Sequence, residues 1–232
     1  MILSFLSSSA TWGVALTLGT FALGRVLQRA AKLPWLNPLI PASAMIIALL
    51  SALNIPYADY KASASPVTWL LLPATVALAV PLYEVWGKLR DLLPSILVGI
   101  GAGAVTGVAS SWLLVKLFSI PKEYAVAFLP KSVTTAIGID VTNELGGHVS
   151  LAIVLIVLTG IAGNVLAVLF CRVFRVLDPA ARGAAIGACS HAIGTTKAME
   201  LGEAEGAVSS LAIAVAGVLT AVLCPLFASG LG

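Results

Sequence analysis

Two lysines, a histidine and two carboxylates stand inside stretches of this chain that are otherwise apolar. Lys131 and Asp140 lie within 124–143, and His191, Lys197 and Glu200 within 183–201. Small hydroxyl residues surround them. The first group runs Pro130, Lys131, Ser132, Thr134 and Thr135, then Asp140, Asn143 and Glu144. The second runs Ser190, His191, Gly194, Thr195, Thr196, Lys197 and Glu200. A proline followed by hydroxyls suits a helix start. The free N–H groups and positive dipole end there favour an anion. Lys131 adds a full charge, and His191, titrating near neutrality, is suited to carry a coupled proton. The candidate substrate-binding set is therefore Lys131, Ser132, Thr134, Thr135, Ser190, His191, Gly194, Thr195, Thr196 and Lys197. The candidate proton carriers are Asp140, His191 and Glu200. Cations outweigh buried acids in this set, which points to a short, polar, anionic substrate. Blander readings stay open: Lys131 snorkelling to an interface, His191 as a neutral histidine between helices, and Glu144 and Glu200 as helix-end carboxylates beside a glycine stop.

The two polar stretches resemble each other. TTAIGIDVTNELG (134–146) and SHAIGTTKAMELG (190–202) share Ala-Ile-Gly and Glu-Leu-Gly at an offset of 56, and Ser-Leu-Ala-Ile follows at 150–153 and 210–213. Ser190 and His191 take the places of Thr134 and Thr135. The duplicated motifs span 130–153 and 186–213, and each leads into a long apolar stretch. A weaker third echo sets Leu72-Pro73-Ala74-Thr75-Val76 beside Leu129-Pro130-Lys131-Ser132-Val133, with Pro81 eight residues on. Paired, interrupted segments are a feature of secondary transporters. Unwound backbone persists at membrane depth only around a polar cavity or within protein packing.

The elements that must position these residues are membrane helices. Of 232 residues, 59% are hydrophobic and 10% charged, with a mean hydropathy of +1.05. A soluble domain carries about 25% charged residues, so this composition excludes a soluble enzyme, a disordered chain and a nucleic-acid-binding module. Six stretches free of Asp, Glu, Lys and Arg are long enough to span a bilayer: 1–24, 33–58, 62–83, 92–115, 145–171 and 206–232. A span needs about 20 apolar residues. The expectation is an all-α, polytopic integral membrane protein forming one domain over 1–232, with six full transmembrane helices plus two broken or re-entrant segments related by an inverted repeat.

Arg25, Arg29 and Lys32 follow the first span and belong on the cytoplasmic side, which places the N-terminus outside. Alternation then puts Lys88 and Arg90 inside. The cluster Arg172, Arg175 and Arg182 also falls inside if 124–143 dips into the membrane and returns. The same hairpin makes the two motifs opposite in orientation. With no Lys or Arg before Arg25, the first stretch does not read as a cleavable signal and is expected to remain a helix. Cys171, Cys189 and Cys224 lie in apolar surroundings without metal spacing and read as buried, reduced thiols.

No hydrolase, zinc, dinucleotide or Walker pattern is present. The sequence predicts no enzyme activity, no metal and no cofactor, and transport would have to run on a gradient.

The runs PATVALAVPLY (73–83), LPKSVTTAIGI (129–139) and SHAIGTTKAMELGEAEGAVSSLA (190–212) resemble the LrgB/CidB family of bacterial inner-membrane proteins, also called antiholin-like or murein-hydrolase regulators. The likeness runs from about Asn37-Pro38 to the C-terminus. A plastidial glycolate/glycerate translocator looks like a fusion of an LrgA-like and an LrgB-like half. The resemblance implies a small monocarboxylate substrate of the glycolate, glycerate or pyruvate class, and a smaller LrgA/CidA-like membrane partner. Where family members read PKSVTTPI, this chain has Ala136 in place of the second proline, which could soften the helix break. The leading expectation is a proton-coupled secondary transporter of small monocarboxylates in the lipid bilayer, working as a homodimer. The alternatives are an antiholin-like regulator of murein hydrolases and cell lysis, and a cation/proton antiporter, which would need buried carboxylates.

Overall fold

The computed structural model describes residues 11–31, 37–77 and 79–231, and every regular element among them is helical. Parts of the expected spans 1–24, 33–58 and 62–83, Lys32 of the expected cytoplasmic cluster, and Gly232 lie outside the described residues. The chain divides into two compact units, within Met1–Ala77 and Leu78–Gly232.

The first unit holds α1 (Trp12–Ala31), α2 (Leu39–Ala52), α3 (Tyr57–Ser63), α4 (Ser65–Trp69) and α5 (Leu71–Ala77). Gly13, Thr20 and Gly24 are buried along one face of α1. The Thr17 hydroxyl bonds to Gly13 O at 2.6 Å and pairs with the Tyr60 hydroxyl at 2.8 Å, which ties α1 to α3. The expected continuous spans over 33–58 and 62–83 appear as shorter pieces. Asn54 adopts a left-handed φ of 50° just after α2, and Pro56 precedes α3. A left-handed residue stops a helix, and a proline N–H cannot continue one. Pro66 opens α4, so the 62–77 stretch is divided again.

The second unit holds α6 (Ala79–Leu89), a 3-10 turn (Arg90–Leu92), α7 (Leu93–Leu117), α8 (Lys122–Phe128), α9 (Thr135–Glu144), α10 (Val149–Val173), α11 (Pro179–Leu201) and α12 (Glu203–Ser229). Helices α7, α10 and α12 realise three of the expected spans, and each is long and apolar enough to cross a membrane. Their burial pattern reverses that of a soluble protein. Along α12 the buried side is Ala207, Ser209, Ala212, Ala216, Gly217 and Thr220, while Val218, Val222 and Leu226 form an exposed stripe. Lipid is as apolar as a leucine side chain, so membrane helices pack through small residues and turn large aliphatics outward.

Each polar stretch folds as a hairpin in front of a long helix. In the first, His148 N donates to Glu123 O at 2.9 Å and the rings of Tyr124 and His148 stack with centroids 5.6 Å apart. The chain therefore leaves and returns at one place, passing through α8, a non-helical stretch at 129–134, and α9. In the second, a Cβ on Gly183 would lie 2.5 Å from Glu205 O, and one on Gly187 would strike Ser209 O. These pairs share one spacing, so the first half of α11 runs parallel to α12. Thr195 pairs with Ser209, and Met199 packs on Gly206. These pairs run the other way, so the second half of α11 comes back antiparallel. The reversal is at His191, whose φ of 43° and ψ of −143° interrupt the helix.

Arg182 and Glu205 pair at 3.4 Å across the open end of the second hairpin, where the Glu205 side chain is 7% exposed. The core of this unit has two main clusters. One joins Val85, Ile96, Ile100 and Ala104 to Ala184, Ala188, Val208 and Ala212. The other joins Val108, Val126, Leu129 and Val141 to Cys224 and Ala228.

Candidate functional site

The two breaks end within one residue of each other at the offset of 56. Helix α9 starts after Thr134, whose extended backbone (φ −64°, ψ 152°) makes it the N-cap, and α11 breaks at His191, the repeat partner of Thr135. The first break stands with Ala136 in place of the family's proline.

The His191 kink is stabilised from three sides. Its Nε2 lies 3.1 Å from Ile156 O. A carbonyl only accepts, so Nε2 carries the proton and Nδ1 is the nitrogen left to titrate. At the kink the Thr195 hydroxyl donates to His191 O at 2.9 Å. With that proton used, Ser209 donates to Thr195 Oγ1 at 2.7 Å. Helix α10 makes room with two glycines. A Cβ on Gly160 would lie 2.8 Å from the His191 ring, and one on Gly163 would collide with Ser190. Asn164, one turn from Gly160, donates to Ile193 O at 2.8 Å and to Thr196 Oγ1 at 3.0 Å, fixing the returning half of α11. Backbone conformations like that of His191 cost about 1–3 kcal/mol and persist where surrounding packing over-determines them.

Both breaks open on one cavity of about 660 Å³, bounded by α7, α10, the first break and the end of the first half of α11. Lys131, Ser132 and Ser190 line it with Thr106, Ser110, Thr159, Gly163 and Cys189. Lys131 is the one charged residue in this lining among the described residues. Its Nζ donates to Ser132 Oγ at 3.3 Å, which leaves the ammonium two further protons and the serine its own. Thr106 and Ser110 already donate to Ala102 O and Gly107 O, at 2.7 and 3.1 Å, so toward a ligand they offer lone pairs rather than protons. The donors suited to an anion are Lys131, Ser132, Thr159 and Ser190.

The depth follows from helix rise. Gly103 is ten residues into α7, Cys189 ten residues into α11, and Gly163 ten residues from the end of α10. Ten residues rise about 15 Å, so the cavity lies about 15 Å along these helices from those ends.

The other candidates are distributed around this cavity. Thr134 and Thr135 are half-buried at the start of α9 and outside the cavity lining. His191, Gly194 and Thr195 are buried in the kink. Thr196 is exposed on α11, and Lys197 pairs with Glu200 at 2.8 Å. Asp140, Glu144 and Glu200 are exposed. One expectation is corrected: Cys171 and Cys224 are buried, but Cys189 is exposed, because its face of α11 turns to the cavity. Sequence reasoning passed over Gly103, Gly160, Gly163 and Asn164. Asn164 carried a signal, as a lone amide in the apolar stretch 145–171. The glycines carried none without their partners across the helix interface.

Comparison with known proteins places this arrangement. The chain matches the LrgB-like family over residues 17–229. It is 32% identical to the antiholin-like protein LrgB of Bacillus subtilis (strain 168), over 97% of each chain. It is 34% identical to the holin-like protein CidB of Staphylococcus aureus (strain Mu50 / ATCC 700699), over 91% of this chain and 93% of that one. It is also 32% identical to the uncharacterised protein YxaC of Bacillus subtilis (strain 168), over 92% of this chain and 93% of the relative. No solved structure matches it significantly. A membrane protein built of long apolar helices and two broken hairpins, this chain belongs to the LrgB-like family.

Proposed function

We propose that this protein acts in a bacterial inner membrane as an antiholin-like regulator of murein hydrolase activity and cell lysis, together with a smaller LrgA/CidA-like membrane protein. The observation that carries this reading is the end-to-end likeness to LrgB, at 32% identity over 97% of both chains. The test is deletion and re-expression in the native host, with autolysis rate and cell-wall hydrolase activity measured. Altered autolysis restored by the gene supports the role, and autolysis unchanged by deletion removes it.

The cavity favours a second reading: a secondary transporter of small monocarboxylates such as glycolate, glycerate or pyruvate, coupled to protons through His191. The support is one ammonium and the hydroxyls of Ser132, Thr159 and Ser190 lining one cavity between two helix breaks. The hairpins add to it. If each dips into the membrane and returns, α7, α10 and α12 alternate in direction and the two motifs enter from opposite faces as an inverted repeat. The arginines at 172, 175 and 182 then lie in the cytoplasm and the N-terminus outside. A cation/proton antiporter draws less support, because Asp140 and Glu200 are exposed. Uptake of labelled glycolate or pyruvate into proteoliposomes, with and without a pH gradient and the partner, tests the carrier reading. If Lys131→Met and Ser190→Ala abolish uptake and leave the lysis phenotype intact, the two activities are separate. If both are lost together, lysis control works through carboxylate movement.

A further inference from the structure

A second cavity, of about 410 Å³, runs between α7 and the first half of α11, from Leu92 and Asp178 at the helix starts past Ser95 and Gly99. It and the Lys131 cavity share Gly103, Ala188 and Cys189 in their linings. A Cβ on Gly103 would lie 3.3 Å from the Cβ of Ala188, so the two helices are in close approach where the cavities meet. The geometry points to a one-sided aqueous access route. It leads small anions from the Leu92/Asp178 end of the unit to Lys131, and its constriction is the Gly103–Ala188 contact. This inference rests on the small-anion reading of the Lys131 cavity and adds how that site is reached.

The volume of the outer cavity holds about a dozen waters at roughly 30 Å³ each. Its walls are mainly alanine and glycine, so passage depends on bore rather than on binding groups. Asp178 stands at the mouth, but its carboxylate accepts from Ala181 N at 2.8 Å as the cap of α11, where the helix dipole offsets its charge. Beyond the constriction the charge in the lining is that of Lys131, which sets the sign of what is admitted. The mouth lies at the start of α11, in the same part of the chain as Arg172, Arg175 and Arg182, hence on the cytoplasmic face.

Cys189 sits at the junction and reports on the route. Sealed vesicles containing the full chain, inside-out or right-side-out, are treated with membrane-impermeant methanethiosulfonates bearing either a sulfonate or a trimethylammonium group. The Cys189 thiolate attacks the reagent's sulfenyl sulfur, a mixed disulfide forms, and methanesulfinate leaves with the electron pair. Modification of the Cys189 peptide is followed by mass.

In inside-out vesicles the sulfonate reagent is expected to gain about tenfold over the cationic one, relative to their ratio on free cysteine, as one nearby charge in a low-dielectric cavity allows. Right-side-out vesicles label more slowly. Lys131→Met returns the ratio to that of free cysteine. Gly103→Val slows labelling, and Gly101→Val, on the same helix but in neither cavity lining and with only ordinary contact to Leu219, does not. Pyruvate slows the wild-type reaction. Equal labelling from both faces, a ratio equal to that of free cysteine in wild type, or a Cys189 that reacts only after denaturation would overturn the route. If a variant fails to assemble, the wild-type sidedness and charge ratio decide alone. Failed pyruvate uptake with this labelling pattern intact removes the carrier reading and leaves the route standing.

Discussion

Lys131 is the residue on which the site's charge rests. A lysine in a membrane segment costs about 2.5–3.5 kcal/mol on insertion scales, and here it faces a cavity beside Ser132 rather than an acid. Lys131→Met is expected to weaken pyruvate or glycolate binding by at least about tenfold, or 1.4 kcal/mol, measured by calorimetry in detergent. Affinity equal to wild type would remove Lys131 from the site. The glycines of α10 are a second residue-level test. Gly163→Ala places a methyl group against Ser190, and Gly160→Ala places one against the His191 ring. Each is expected to lower stability by about 1–3 kcal/mol through overpacking, read as a fall in detergent melting temperature. Gly99→Ala has open space and is expected to gain up to about 1 kcal/mol from helix propensity.

At the scale of elements, the strained kink and the closed hairpin carry the account. His191→Gly and His191→Ala both lose the bond to Ile156 O, but only glycine adopts a φ of 43° freely. The glycine variant should therefore be the more stable of the two by about 1–2 kcal/mol, by equilibrium unfolding. The reverse order would mean that the helix is continuous there. Arg182→Met leaves Glu205 buried without its partner and is expected to cost about 3–5 kcal/mol, whereas Glu205→Gln, which removes the buried charge, costs less. Much of this level was legible in the chain. The helices after the two breaks begin at Thr135 and Ala192, within one residue of the offset of 56 that aligns Ala-Ile-Gly and Glu-Leu-Gly. The break after α2 was legible in Asn54-Ile55-Pro56, a turn signature, whereas the boundary at Pro66 was not legible from hydropathy. Nor was the exposure of Cys189, because which face of α11 turns to a cavity depends on α7 and α10.

At the scale of the whole molecule, membership of the LrgB-like family and three long apolar helices establish a membrane protein of antiholin-like kin. What a single chain can do in a bilayer depends on whether the two hairpin tips meet in a wet space at its centre. That claim links residue and element to function. Without it Lys131 would be a half-buried charge with no task, and the strain at His191 would have no evident use. The measurement that tests it most directly is an experimental density map of the protein in lipid nanodiscs with saturating pyruvate. The account expects density for the anion between Lys131 Nζ, Ser132 Oγ and Ser190 Oγ, midway between the headgroup layers. An empty, lipid-filled gap at that place, with Lys131 and Ser190 on separate surfaces, would contradict it.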